Sequence, residues 1–171
     1  MGHPVTPVSP ADWRAAMGRF PSGVTIVTSW CDDEPVGTTV NAFCSVSLDP
    51  PLLLICLDHA NPALEPIERV RRFGVNFLAA GHDDLARRFG SQRETDRFAG
   101  LGWRATNGGA PQLDVACLFV DCAVEQCHAA GDHRIVVGRG VRIDHASTAG
   151  PLLYHKGAFP SPADPATWIW E

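Results

Sequence analysis

Residues 37–48 form the stretch that decides the fold, Gly37-Thr38-Thr39-Val40-Asn41-Ala42-Phe43-Cys44-Ser45-Val46-Ser47-Leu48. Side chains alternate between the two faces of an extended chain, which places four polar residues on one face: Thr39, Asn41, Ser45 and Ser47. We expect the other face to supply the core, from Val40, Ala42, Cys44, Val46 and Leu48. An unpaired buried hydroxyl or amide costs about 1–3 kcal/mol, so the polar face must meet water, polar groups of another strand or a hydroxyl-rich ligand.

The residues around this stretch predict many short strands with short helices between them. Fourteen prolines and 16 glycines punctuate the whole length, which is typical of short strands. Strands are predicted at residues 24–30, 52–57, 73–79, 115–126, 133–143 and 152–154. Helices are predicted at 10–19, from Asn61-Pro62 onward, and at 83–90. Six or seven strands in this order favour a closed antiparallel barrel over a parallel sheet, and the GxGxxG and GxxxxGK[ST] motifs of nucleotide-binding parallel folds are missing.

Length and composition indicate a single globular domain. The chain has 171 residues, of which 45% are hydrophobic and 19% charged, and this excludes a disordered chain. We expect one domain over 1–171, with a core at about 10–160 and arms at 1–9 and 160–171. No apolar stretch approaches the ~20 residues that span a bilayer, and Met1-Gly2-His3-Pro4 lacks the features of a secretion signal. A cytoplasmic protein without a membrane partner is therefore expected.

Positive charge is concentrated in one part of an acidic chain. The net charge is −5, which argues against a nucleic-acid partner. Residues 69–104 nevertheless hold eight arginines and only four acidic residues. Such a local patch suits one small anion better than a polyanion, although solvated helix faces remain an open alternative for each arginine.

The six cysteines do not form a metal or disulfide pattern. They stand at positions 31, 44, 56, 117, 122 and 127, without a CxxC pair or an HExxH motif. We therefore expect no metal and a reducing compartment. One alternative remains open, a cysteine nucleophile built from Cys122 or Cys127 with His128 or His133.

Two later segments add candidate site residues. The turn Gly131-Asp132-His133 opens a strand, and His133 there could bind a carboxamide or relay a proton, because an unperturbed imidazole titrates near neutrality. Residues 151–159 predict a final strand with Tyr154 and Phe159 at its end. Either segment could equally be structural.

Taken together in order and spacing, these segments resemble the short-chain flavin reductase family over nearly the whole chain. This family supplies the reductase components of two-component flavin-dependent monooxygenases. The stretches that carry the resemblance are 20–28 (FPSGVTIVT), 37–41, 45–51 (SVSLDPP), 73–78 (FGVNFL), 85–89 (LARRF), 97–100 (RFAG), 131–133 (GDH) and 151–154 (PLLY).

The resemblance implies a mainly β fold, an antiparallel Greek-key split β-barrel that binds FMN, with short flanking helices, found as a homodimer. It implies hydride transfer from NADH or NADPH to FMN or FAD, and delivery of reduced flavin to a partner monooxygenase. By family position the flavin-binding residues are Gly37, Thr38, Thr39, Val40, Asn41, Ser45, Val46, Ser47, Asp58, Asn61, Arg88 and Ser91, the last four near the phosphate. Asp132, His133 and Tyr154 would bind the nicotinamide, with His133 as the catalytic residue.

Two departures from the family pattern affect this assignment. Ala86 stands where relatives often have serine, which removes a hydroxyl from the phosphate region, and Cys44 stands where threonine or a similar residue is common. The alternatives within the same barrel are an FMN-dependent oxidase resembling the pyridoxamine phosphate oxidases and a flavin-binding protein without turnover.

Overall fold

Helices are few and short in this chain, whose computed structural model describes residues 7–91, 93–94, 96–105, 108–145 and 147–160. The helices are α1 (Pro10–Met17), α2 (Leu64–Val70) and α3 (Asp83–Gly90). The strands are β1 (Ser22–Gly23), β2 (Thr25–Cys31), β3 (Glu34–Val40), β4 (Phe43–Leu48), β5 (Pro51–Asp58), β6 (Arg72–Leu78), β7 (Trp103–Arg104), β8 (Gln112–Leu113), β9 (Ala116–Ala130), β10 (His133–His145) and β11 (Leu153–Tyr154). None of these helices is long and apolar enough to cross a membrane.

Seven strands form one antiparallel sheet in the order β3-β2-β6-β9-β10-β5-β4. The predicted mainly β, antiparallel architecture with short helices is confirmed. Within the described residues the edge strands β3 and β4 do not pair with each other, so the barrel is open along one side instead of closed. Yet only residues 41–42 connect these two strands, and three residue steps reach about 11 Å at most. The sheet must therefore curl until its opposite edges nearly meet.

The larger apolar core lies between this curled sheet and α2. Strand β5 shows how the sequence builds it, because Leu53, Ile55 and Leu57 are buried and alternate with less buried residues. Helix α2 adds Leu64 and Ile67, which lie three residues apart and so face the same way. A second core contains Phe89 of α3 and fixes that helix against the sheet.

Buried polar side chains hold the segment 109–113 against the sheet. Asn76 on β6 accepts a hydrogen bond from the backbone N–H of Leu113 (2.7 Å), and Asp121 on β9 accepts one from the N–H of Ala110 (3.3 Å). Asn76 and Asp121 are both fully buried. Because buried polar groups are costly when unpaired, these bonds specify where the segment lies.

Strand β4 departs from the predicted alternation of buried and exposed residues. Of the five residues expected in the core, Val40 is buried. The other four are exposed: Ala42, Cys44, Val46 and Leu48. The chain crosses between opposite edges of the sheet at 41–42, and the register shifts again between Ser45 and Ser47. The alternation of β3 therefore does not continue into β4, and Phe43 turns inward instead, edge-on to Phe77 with ring centroids 5.2 Å apart.

Helix α2 begins at Leu64, later than the predicted start at Asn61-Pro62. The Asn61 side chain forms a turn by accepting from the N–H of Ala63 (3.0 Å), and its amide nitrogen donates to the hydroxyl of Thr38 on β3 (3.1 Å). Asn61 therefore joins the loop to β3 and does not cap the helix. Helix α1 ends at Met17, two residues before the predicted end, whereas α3 has the predicted bounds.

Candidate functional site

A cavity of about 460 Å³ lies where β3, α3 and the segment 153–159 meet. Its volume falls within the range of about 300–1,000 Å³ that is usual for small-molecule sites. The residues that line it are Val24, Thr39, Asn41, Ala86, Arg87, Gly90, Ser91, Tyr154, Gly157 and Phe159.

Strand β3 and the link after it supply the hydroxyl and amide groups of one wall. Thr39 and Asn41 are two residues apart and so lie on one face of an extended chain. The Thr39 hydroxyl donates to the carbonyl of Ala86 on α3 (2.6 Å), which fixes the strand to the helix. The Asn41 amide donates to the hydroxyl of Ser22 at 3.3 Å and is otherwise exposed. This wall therefore offers a ligand one fixed and one accessible polar side chain.

Helix α3 supplies the cationic wall. Ala86 and Gly90 are one turn apart, as are Arg87 and Ser91, so these four residues form a continuous strip that faces the cavity. Ala86 is buried and Gly90 has no side chain, which leaves room for a ligand. Arg87 is the cationic residue among the described lining residues.

The segment 153–159 closes the cavity with two aromatic rings. The ring centroids of Tyr154 and Phe159 are 5.4 Å apart with an interplanar angle of 57°. The Arg87 guanidinium carbon lies 4.8 Å from the centroid of Phe159, within the range of a cation–π contact. The cavity thus combines apolar ring surface with a positive charge.

The structure places Arg87 at the cavity instead of Arg88, which the family position had indicated. The Arg88 guanidinium donates to the carbonyls of Asp96 (2.9 Å) and Ala99 (2.8 Å) in the loop after α3. Helical spacing relates Arg87 to Ser91, which also lines the cavity, because Arg87 stands one helical turn before it. The phosphate contacts of Arg88 and Ser91 remain predictions. Sequence reasoning also left Phe159 out of the candidate site.

The remaining predicted flavin residues of β3 and β4 do not belong to the described lining. Gly37 and Thr38 are buried, and a Cβ atom at Gly37 would lie 2.9 Å from the Phe89 ring, so this glycine permits close contact between β3 and α3. Val40 is buried in the core. Strand β4, at the edge of the sheet opposite β3, carries Ser45, Val46 and Ser47. The predicted polar face therefore brings only Thr39 and Asn41 to the cavity.

Asp58, Asp132 and His133 form a separate cluster where β5 ends and β10 begins. His133 pairs with Asp58 across the two strands, and one potential ligand atom from each of the three residues lies within 4.8 Å of the others. The His133 Nδ1 atom lies 2.7 Å from a carboxylate oxygen of Asp132, and this hydrogen bond holds the pKa of Asp132 below its usual value. These residues are not part of the described cavity lining, so their predicted nucleotide contacts remain predictions.

The thiols offer no support for cysteine catalysis. All six cysteines are free. Burial raises the pKa of Cys122 to about 12 and also raises the pKa of Cys127. Because the thiolate is the nucleophile, both environments disfavour the reactive form.

The open antiparallel barrel thus carries a cavity whose lining combines aromatic, polar and cationic side chains. Comparison with known proteins identifies the family. The family model described as "Flavin reductase like domain" matches residues 17–163. The chain belongs to this flavin reductase family.

Individual relatives agree with this assignment. The chain is 35% identical over 167 residues to the reductase subunit HsaB of a flavin-dependent monooxygenase from Mycobacterium tuberculosis (strain ATCC 25618 / H37Rv), with 94% of this chain and 89% of the relative covered. It is 34% identical over 153 residues to a flavin reductase of Pseudomonas putida, with 89% of each chain covered. The solved structure of the Streptomyces globisporus C-1027 NADH:FAD oxidoreductase SgcE6 in complex with NAD and FAD fragments has a TM-score of 0.86, with 32% identity over 95% of this chain and 99% of that one.

The cavity lining fits a flavin. A flavin needs an apolar surface for its ring system, polar partners for its ribityl hydroxyls and positive charge for its phosphate. Tyr154 and Phe159 provide the apolar surface. Thr39 and Asn41 provide the polar partners. Arg87 provides the positive charge, with the Ser91 hydroxyl beside it.

Proposed function

We propose that this protein is an NAD(P)H:flavin oxidoreductase that reduces FMN or FAD and supplies the reduced flavin to a partner monooxygenase. The observation that carries the proposal is the cavity of β3, α3 and the segment 153–159, in which ring surface, polar groups and a guanidinium face one space. Membership of the flavin reductase family supports the same reaction. The relative HsaB, a reductase subunit of a flavin-dependent monooxygenase, supports the partner.

In this proposal the residues of the cavity bind and orient the flavin. None of them needs to act as an acid, a base or a nucleophile. When bound, a flavin would supply the hydride acceptor for a reduced nicotinamide. Thr39 and Asn41 would hold its ribityl arm, Arg87 and Ser91 its phosphate, and Tyr154 and Phe159 would exclude water from its ring. Such positioning of two reactants is a large part of what a protein contributes to cofactor chemistry.

The direct test mixes the purified chain with each flavin and each reduced nicotinamide and follows the nicotinamide absorbance. We expect flavin-dependent oxidation of the nicotinamide, with multiple turnovers per protein. Flavin that stays bound while no nicotinamide is consumed would instead favour the FMN-dependent oxidase or the protein without turnover. No oxidation in any of the four combinations would contradict the proposal.

His133 serves, in this proposal, to bind the carboxamide of the nicotinamide, with Asp132 orienting its ring through the 2.7 Å contact. We expect His133→Ala to raise the KM for the nicotinamide by about tenfold, the effect of one lost polar contact, and to leave residual turnover. Steady-state kinetics at saturating flavin measures this. Complete loss of turnover in a folded variant that still binds flavin would show that His133 takes part in the chemistry.

A homodimer is part of the proposal. Exposed apolar side chains support it, since Val46 and Leu48 of β4 and Val141 and Ile143 of β10 lie near the beginning of β5 and are 48–93% exposed. We expect a mass of twice 18.4 kDa in size-exclusion chromatography with light scattering. A monomeric mass at micromolar concentration would contradict the dimer.

Two further parts of the proposal concern the whole chain. The proposal takes residues 1–171 as one domain, whose arm at 160–171 lies outside the described residues beyond Pro160. A cytoplasmic location is proposed on the strength of six free cysteines, because reduced thiols suit that compartment.

A further inference from the structure

Arg97 connects two walls of the cavity without lining it. Its Nη1 atom donates to the carbonyl of Gly37 on β3 (2.8 Å), and its Nη2 atom donates to the carbonyl of Ser91 at the end of α3 (2.7 Å). Ser91 itself lines the cavity, and Gly37 lies two residues before Thr39 on the facing strand. One planar guanidinium therefore sets the distance between the strand wall and the helix wall.

The same two walls are joined at a second point. The Thr39 hydroxyl donates to the carbonyl of Ala86, more than a helical turn before Ser91. With one connection at Ala86 and another at Ser91, the strip of α3 that faces the cavity is held at both ends. Packing of Phe89 still holds α3 against the sheet without Arg97, but the end with Gly90 and Ser91 then loses its hydrogen-bonded connection to β3.

Arg97 also acts on the charge at this end of the helix. The last carbonyls of a helix carry partial negative charge, which opposes an anion bound nearby. The guanidinium accepts no hydrogen bonds and is always charged, so its contact with the Ser91 carbonyl offsets part of this potential. Thus the residue supports an anion at the C-terminal end of α3 by position and by charge.

We infer that Arg97 is a positioning residue for the flavin: it holds Ser91 and the end of α3 against β3 and thereby sets flavin affinity. This inference rests on the proposed function and adds to it a residue outside the cavity. Arg97 differs in this role from Arg88, because both carbonyl partners of Arg88 lie in the loop after α3 and neither lies on β3.

The test compares Arg97→Gln with Arg71→Gln in the full chain. Arg71 also donates to two backbone carbonyls, those of Val124 (2.8 Å) and Glu125 (3.2 Å), but it lies at the end of α2, outside the described cavity lining. We expect Arg97→Gln to raise the dissociation constant for FMN by about tenfold or more, measured by fluorescence titration, because two charge-assisted bonds are lost. Arg71→Gln should leave it within about twofold.

Kinetics provide a second measurement that general loss of structure would not reproduce. In Arg97→Gln the KM for flavin should rise together with the dissociation constant, while kcat at saturating flavin and the nicotinamide KM stay within about twofold. Arg97→Lys keeps the charge but not the two-pronged geometry, and should weaken FMN binding to an intermediate degree. This variant also carries the test if the glutamine variant does not fold.

An FMN dissociation constant within about twofold of the wild type in a folded Arg97→Gln protein would overturn the inference. An equal loss in Arg71→Gln would overturn it as well, since the effect would then be general. Because FMN binding is measured without turnover, the outcome is independent of the oxidoreductase assay. A chain that binds FMN but oxidises no nicotinamide would refute the proposed function and leave the role of Arg97 intact.

Discussion

Arg87→Ala is expected to weaken FMN binding by about ten- to a hundredfold, the value of one charge-assisted hydrogen bond in a partly enclosed site. Arg87 is the cationic side chain among the described lining residues, and it stands one helical turn before Ser91. Riboflavin lacks the phosphate but has the same ring and ribityl arm. Its affinity should therefore remain within about threefold in the same variant.

Fluorescence titration with FMN and riboflavin measures both affinities. Arg87→Lys should recover part of the FMN affinity, because it restores the charge but not the fork of donors. Arg104→Ala is the matched control, since Arg104 is exposed and pairs with Asp114 at 2.6 Å. Equal losses of FMN and riboflavin affinity would show that Arg87 contacts the ring or supports the fold, and would remove it as the phosphate ligand.

Asp121→Ala is expected to lower the free energy of unfolding by about 2–4 kcal/mol, because it removes a buried carboxylate that accepts charge-assisted hydrogen bonds from the half-buried Arg72. The Asp121 side chain is 1% exposed and accepts two hydrogen bonds from Arg72, at 3.0 and 2.7 Å. These bonds raise the pKa of Arg72 above its usual value. Without the carboxylate, Arg72 and the N–H of Ala110 both lose a partner.

Urea unfolding followed by tryptophan fluorescence measures this loss. The control is Asp114→Ala, which breaks the Arg104–Asp114 pair at 2.6 Å, where the two side chains are 57% and 52% exposed. Exposed pairs contribute about 0–1 kcal/mol, so the control should barely change the unfolding midpoint. Losses of equal size in the two variants would contradict the assignment of Asp121 as a structural anchor.

Local patterns predicted the fold well where local forces decide it. Helix α3 has the predicted bounds because acidic residues at 83 and 84 favour its N-terminal turn and Gly90 ends it. Strand β10 also begins at His133, after the turn that the sequence predicts there. The predicted alternation of buried and exposed residues was wrong in β4, because the chain crosses the open side of the barrel at 41–42. No local sequence pattern indicates which edge of a sheet a strand will join.

The candidate site also combines residues that local patterns indicate with residues that long-range contacts bring together. Thr39, Asn41 and Ser91, predicted for the flavin, and Tyr154, predicted for the nicotinamide, line the cavity, and their ligand contacts remain predictions. Ser45, Ser47 and Arg88, which the family resemblance implies for the flavin, lie outside the described lining, because the alternation ends at the crossing and Arg88 binds the loop after α3. The role of Arg97 depends on a loop folding back onto β3, a long-range contact without a signature in the neighbouring residues.

The stacking of Arg87 on Phe159 has a consequence for flavin binding. The ring contact is worth about 0.5–2 kcal/mol, and it leaves the N–H donors at the edge of the guanidinium free. Under the proposed function, Phe159 therefore holds Arg87 in place before the phosphate binds, which reduces the side-chain entropy lost on binding. A protein that passes its flavin to a second protein then meets each new flavin with the cation already in position.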